Sequence, residues 1–202
     1  MTVAEKQTIF VVDDDAAVRR AIASAGKLMG NPVKQFASAA EFLAEYDSSR
    51  PGCLVLDLKM PGMTGIELQQ RLVDDGIALP IIVVSGHADV RIAVDVMTRG
   101  ALTLLEKPFR LEELLGKLRL ALEQDEKNRE RAKEQAQSDA KLAGLTAKER
   151  EVLEAIAAGK TNREIAEELG LSLRAVEDRR ARLMKKVQAK SVAELVQVLN
   201  RR

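Results

Sequence analysis

The stretch "LVLDLKMPGMTG", residues 54–65, runs from Leu54-Val55-Leu56 into a single carboxylate, Asp57, and then breaks at Pro61 and Gly62. A short apolar run closed by turn residues reads as a strand buried on both faces. An ionised Asp at the end of such a strand is costly unless something pairs with it. The same pattern recurs on either side. "TIFVV" (8–12), "PVKQF" (32–36), "CLVLD" (53–57), "PIIVVS" (80–85) and "ALTLL" (101–105) are short and mostly apolar. Amphipathic stretches lie between them, among them "AAVRRAIASAGKLM", "SAAEFLAEY", "GIELQQRLVDDG" and "DVRIAVDVMTRG".

Nearly continuous hydrophobic strands alternating with helices predict a parallel sheet covered on both faces. Five such units in about 120 residues fit a doubly wound α/β domain of flavodoxin-like type. From Leu111 the pattern changes. Leu111, Leu114, Leu115, Leu118 and Leu122 form a helical stripe that fades into "EQDEKNRERAKEQAQSDAK", rich in helix formers. This predicts one long helix that starts against the sheet and continues as a solvated connector, with a disordered charged linker as the alternative. The last segment carries only helical patterns. Thr146 with Glu149, Thr161 with Glu164 and Ser191 with Glu194 have capping-box spacing, as Ser38 with Glu41 does earlier. A fourth start, at Ser172, has Ala175 at its third position, and Gly170 marks a tight turn before it. Four short helices around "ELGLS" predict a helix-turn-helix domain. The expected division is 1–122, a connector 123–142, and 143–202.

Composition narrows the function. The 202 residues hold one cysteine, Cys53, and one histidine, His87, so neither a disulfide framework nor zinc spacing is available. No apolar run approaches membrane-spanning length and no signal-peptide order opens the chain, so no membrane role and a cytoplasmic address are expected. The net charge of +1 hides an asymmetry: −3 over residues 1–109, −1 over 110–140 and +5 over 141–202. An anionic partner at the C-terminal end follows from that bias.

In an open parallel sheet, ligands sit outside the carboxyl ends of the strands where strand order reverses. The residues expected there are Asp13, Asp14 and Asp15 from the first strand, Asp57 from the third, Ser85 from the fourth and Lys107 after the fifth. Crowded carboxylates repel unless a cation intervenes, and hard oxygen ligands suit Mg²⁺. With a metal beside it, Asp57 is a candidate nucleophile toward a phosphoryl donor, with Ser85 and Lys107 meeting the charge on the transferring group.

"VVDDD", "LVLDLKMPGMTG", "VVSGHADV" and "LLEKPF" occur in that order and closely resemble the strand-end motifs of two-component receiver domains. The resemblance implies metal ligation by Asp13, Asp14, Asp57 and the backbone carbonyl of Lys59. It implies phosphoacceptance at Asp57 from a sensor histidine kinase, a switch hydroxyl at Ser85, the conserved-type lysine at Lys107 and a frequently cis peptide before Pro108. Leu104 departs from the family, which usually carries Phe or Tyr there. A dimer surface with Arg91, Val94 and Arg99 is implied as well. His87 and Lys59 fall near the rim, either as residues bearing on phosphate lifetime or as solvated loop side chains.

In the C-terminal segment, a helix from Ser172 presents Arg174, Arg179, Arg180, Arg182, Lys185 and Lys186. Arg174, Arg182 and Lys185 fall near one side, and Val176, Leu183 and Val187 near the other. Residues 143–198 resemble the LuxR-type output domain of FixJ/NarL-family response regulators, departing from it at Ala175 and Arg179. The "GKT" at 159–161 is no phosphate-binding loop, because Glu154 stands where that loop needs Gly. The resemblance implies a non-enzymatic transcription regulator that contacts double-stranded DNA through Ser172, Arg174, Ala175, Arg179, Arg182, Lys185 and Lys186. A homodimer formed on phosphorylation and RNA polymerase are the further partners expected. Two other readings remain: a constitutive regulator whose receiver only dimerises, and a phosphotransfer enzyme turning over through Asp57, which the position of the motif after the third strand disfavours.

Overall fold

The computed structural model describes residues 6–86 and 90–200. The chain divides into two compact units between Arg129 and Glu130. In the first, β1 (Thr8–Val12), β2 (Val33–Phe36), β3 (Gly52–Asp57), β4 (Ile81–Ser85) and β5 (Thr103–Glu106) form one parallel sheet in the order β2-β1-β3-β4-β5. Helices α1 (Ala16–Met29), α2 (Ala39–Glu45), α3 (Gly65–Asp74), α4 (Val90–Thr98) and α5 (Leu111–Ala143) alternate with the strands. Strand order reverses between β1 and β3, so the crevice at their carboxyl ends is the predicted ligand position.

Successive strand residues point to opposite faces, and both faces here are apolar. Ile9, Val11, Cys53, Val55, Ile82, Val84 and Leu105 pack with Ile22 of α1 and with Leu114 and Leu118 of α5. Phe10, Val12, Leu54, Leu56 and Val83 pack with Phe42, Leu68, Leu72 and Val96 from α2, α3 and α4. Each fully buried aliphatic side chain contributes about 1.5–3 kcal/mol relative to exposure. Cys53 is wholly buried and its thiol is pushed up by desolvation, so it is inert filling.

The fifth strand differs from its expected 101–105 span. The Ala101 N–H is taken by the Val96 carbonyl (3.0 Å), closing α4, so the chain joins the sheet later, from Thr103. Leu111 also differs: it opens α5 but stays 45 % exposed, and the buried stripe begins one turn later at Leu114. That stripe does not end at Leu122. Asp125, on the same face, is 2 % exposed. Its carboxylate accepts from the Gly52 N–H (2.8 Å), Gln7 Nε2 (3.1 Å) and Arg129 Nε (3.0 Å). Arg129 in turn donates to the carbonyls of Ser49 (2.9 Å) and Arg50. A stretch read as solvated thus contains a buried charge cluster that ties α5 to the start of β3.

In the second unit, α6 (Ala147–Ala157), α7 (Asn162–Leu169), α8 (Leu173–Val187) and α9 (Val192–Asn200) enclose Val152, Leu153, Ile156, Ile165, Val176, Leu183, Val187 and Leu195. The capping boxes at Thr146–Glu149 and Thr161–Glu164 form, and so does one at Thr64–Glu67 that the sequence reading passed over. At Ser38 and Ser191 the serine caps as expected, but Glu41 and Glu194 reach one residue further back, to the N–H groups of Ala37 and Lys190 (both 2.7 Å). Between α7 and α8, Gly170 adopts φ 62°, the left-handed turn expected of it.

Candidate functional site

Asp57 is the last residue of β3 and Asp13 follows β1 directly, so the switch point brings both to one rim. Asp13 is 1 % and Asp57 5 % exposed. Lys107, leaving β5, lays its Nζ between them, 2.7 Å from Asp13 Oδ2 and 2.8 Å from Asp57 Oδ1. The remaining oxygens are also held. Asp13 Oδ1 accepts the Asp15 N–H (2.9 Å) and Asp57 Oδ2 the Lys59 N–H (2.9 Å). The Lys107–Pro108 peptide is cis, as the family resemblance implied.

Burial pushes Asp13 above the ordinary carboxylate value, against the hydrogen bonds from Lys107 and the Asp15 N–H. For Lys107, burial pulls the ammonium down, but the hydrogen bonds and charges of Asp13 and Asp57 outweigh it and its net displacement is upward. The exposed Asp14 completes a group in which one oxygen each from Asp13, Asp14 and Asp57 lies within 4.8 Å of the others. Three carboxylates against one ammonium leave a formal charge of −2, and the donors are all hard oxygens. That set fits a divalent ion of the Mg²⁺ type.

Asp15, collected with this rim from the sequence, has a different task. It caps α1, accepting the Ala17 N–H at 2.7 Å. Arg19 was missed altogether: its Nη1 donates to the carbonyls of Asp13 (2.6 Å) and Asp14 (2.9 Å) and so fixes the turn that carries both carboxylates. Its position one turn into the helix after "DDD" is the only local signal of that role in the sequence, and it went unread. Ser85 closes β4, 1 % exposed, one residue beyond the β4 partner of Asp57, and its carbonyl accepts the Lys107 N–H (2.8 Å).

Gly65 also belongs to the site through what it lacks. A Cβ there would sit 2.1 Å from the Asp57 carbonyl oxygen, and its N–H donates to the Leu58 carbonyl at 3.1 Å. Leu104 is half-buried, opposite Val83 in the sheet, and packs on the α2–α3–α4 side. Arg91 and Val94 stand exposed on α4. Arg99 does not stand with them; it is turned to Asp95 (2.9 Å) and to Gln70 of α3 (3.0 Å). Lys59 is exposed beside the rim, and His87 lies outside the described residues.

On the C-terminal unit, α8 buries Val176, Leu183 and Val187 and exposes Arg174, Arg182 and Lys185, as the spacing predicts. Ser172 caps the helix through the Ala175 N–H (3.2 Å), and Ala175 and Arg179 are half-buried on its flank. Arg180 is committed to Asn162 (2.7 Å), locking α8 to α7. Lys186, expected among the DNA contacts, bonds Glu149 at 2.7 Å. That bond, with the Thr146 N–H, holds the Glu149 carboxyl at about 2. A depressed carboxylate stabilises the fold above its ordinary value of 4.5, and that contribution is lost as pH falls through about 2. An NMR titration of the Glu149 carboxyl carbon is therefore expected to show its midpoint near 2. In a Lys186→Met protein the midpoint rises toward the ordinary value.

Comparison with known proteins agrees with both halves. Residues 9–119 match the model of the response regulator receiver domain, and residues 143–199 that of bacterial regulatory proteins of the luxR family. The response regulator protein TmoT of Ectopseudomonas mendocina is 38 % identical over 197 residues, covering 98 % of this chain and 90 % of TmoT. The transcriptional regulatory protein FixJ of Bradyrhizobium diazoefficiens is 39 % identical over 199 residues, covering 97 % and 96 % of the two chains. Among solved structures, that of the response regulator StyR matches with a TM-score of 0.85 at 36 % identity, over 98 % of this chain and all of that one.

Proposed function

Because the chain belongs to the FixJ/NarL-type response regulators, which join a receiver domain to a LuxR-type helix-turn-helix domain, we propose that phosphorylation of Asp57 by a sensor histidine kinase switches its binding to DNA. The observation that carries this reading is the Lys107 ammonium bridging Asp13 and Asp57 at the sheet's switch point. An Asp57 oxygen attacks phosphorus, the phosphorus–nitrogen bond to the donor imidazole breaks, and the electron pair leaves with the imidazole. Asp13, Asp14, Asp57 and the Lys59 carbonyl would hold Mg²⁺, which when bound supplies positive charge to the phosphoryl oxygens. Lys107 would share that task, and Ser85 would supply a hydroxyl to one phosphoryl oxygen. Arg19 keeps the acidic turn in place.

Phosphorylation regulates output only by stabilising one conformation over another. The surface of α4 bearing Arg91 and Val94 is the dimer face we assign, with Leu104 beneath it as the residue that repacks. Two C-terminal domains then reach paired half-sites in duplex DNA, α8 entering the major groove, and from there the regulator engages RNA polymerase. Arg174, Arg182 and Lys185 are the phosphate and base contacts we assign first. Leu104 in place of an aromatic ring favours a second reading, a constitutive regulator whose receiver only dimerises.

Light scattering on wild type and Asp57→Asn, with Mg²⁺ and acetyl phosphate, separates the two. Acetyl phosphate is expected to convert the wild type to dimer and leave Asp57→Asn unchanged; an equal response in both would contradict phosphorylation control. Duplex binding is expected to weaken linearly in log–log salt plots. The double variant Arg182→Glu, Lys185→Glu should lower that slope by about 2. Binding that ignores salt would contradict the assigned contacts.

A further inference from the structure

The buried side of α8 is fixed by Val176, Leu183 and Val187. At 3.6 residues per turn the opposite side carries Arg174, Asp178, Arg182 and Lys185, all exposed. One carboxylate therefore stands in the middle of the basic face, one turn from an arginine in each direction. Among the described residues no hydrogen bond or ion pair engages that carboxylate. Arg182 Nε donates instead to the Asp178 backbone carbonyl (3.3 Å). Asp178 thus holds nothing together within the unit. Against a polyanion a lone carboxylate at the centre of the contact face opposes binding, since it repels the phosphates that the arginines attract.

What such a group gains is selectivity. An ionised carboxylate only accepts hydrogen bonds. In the major groove the available base donors are the amino groups of cytosine and adenine. Adenine sets its N7 acceptor beside the amino group, facing a carboxylate with a second lone-pair-bearing atom; cytosine does not. The guanine edges of neighbouring pairs suit Arg174 or Arg182, one turn away on either side. We propose that Asp178 is a specificity-determining residue that accepts a hydrogen bond from the cytosine amino group in the major groove of the bound duplex. This rests on the DNA-binding reading above.

The test is selection from a randomised duplex pool by full-length wild type, Asp178→Ala and Asp178→Asn, each with and without Mg²⁺ and acetyl phosphate. Wild-type sites are expected to share a cytosine at one position of each half-site. In Asp178→Ala that preference falls by roughly tenfold or more, while affinity for the unselected pool rises. Asp178→Asn, which both donates and accepts, should move the preference at that position toward adenine. Identical base preferences in wild type and both variants overturn this inference and leave the DNA reading intact. Retention of no duplex by the wild type in either condition overturns both.

Discussion

Asp125→Ala is expected to destabilise the N-terminal unit by about 3–5 kcal/mol, a large share of the roughly 5–15 kcal/mol that holds an ordinary domain together. The reason lies in what the substitution leaves behind. The buried Gly52 N–H loses its acceptor, and Arg129 loses the carboxylate that balances its charge. An unmade buried hydrogen bond alone costs about 1–3 kcal/mol. Asp125→Asn keeps the shape and one acceptor oxygen and should cost less. Tyr46, the single tyrosine of a chain without tryptophan, stacks on Phe42 inside this unit, so its fluorescence in urea reports the unit by itself. An Asp125→Ala midpoint equal to that of wild type would show that the cluster contributes nothing. A double-mutant cycle with Arg129→Met then isolates the pair.

Gly65→Val is expected to depress Asp57 phosphorylation by about a hundredfold, although residue 65 offers the reaction no functional group. A side chain there must displace the Asp57 carbonyl, 2.1 Å from the Cβ position, and the Leu58 Cα, 2.9 Å away. Both are backbone atoms of the segment that aims the nucleophile, so the strain cannot be absorbed by a rotamer. Gly116→Ala on α5 is the control. Nothing lies within 4 Å of its Cβ position, and alanine in a helix gains up to about 1 kcal/mol over glycine. The measurement is the initial rate of mass gain with acetyl phosphate and Mg²⁺, with Tyr46 fluorescence verifying that each variant is folded. A wild-type rate in Gly65→Val would contradict the close approach.

The sheet was legible because its central strands are nearly continuous apolar runs; "TIFVV" leads straight into Asp13 and "LVLDLKMPGMTG" holds Asp57, so burial and the site are read together. The carboxylate group was legible for the same reason, since strand ends in a parallel sheet converge on one rim. Tertiary hydrogen bonds were not. Asp125 and Arg129 continue the Leu114–Leu118–Leu122 face at helical spacing, but a charged residue on an apolar stripe reads as the stripe's end unless its partners are known. Those partners, Gly52 and the carbonyls of Ser49 and Arg50, are far away in sequence and mostly backbone. Lys186 and Arg99 were read as surface cations because nothing in their own segments shows Glu149 or Gln70 beside them. Asp15 looked like a third site carboxylate and is a helix cap, a choice set by whether the side chain turns toward the rim or toward the Ala17 N–H.

The most direct measurement is the intact mass of the full-length protein after incubation with acetyl phosphate, with Mg²⁺ or with a chelator, followed by peptide mapping. The wild type should gain one phosphoryl group only with Mg²⁺, located on the peptide containing Asp57, and Asp57→Asn should gain none. A wild-type mass that stays unchanged with Mg²⁺, or a gain that persists in Asp57→Asn, would contradict the assignment of Asp57 as the phosphoacceptor.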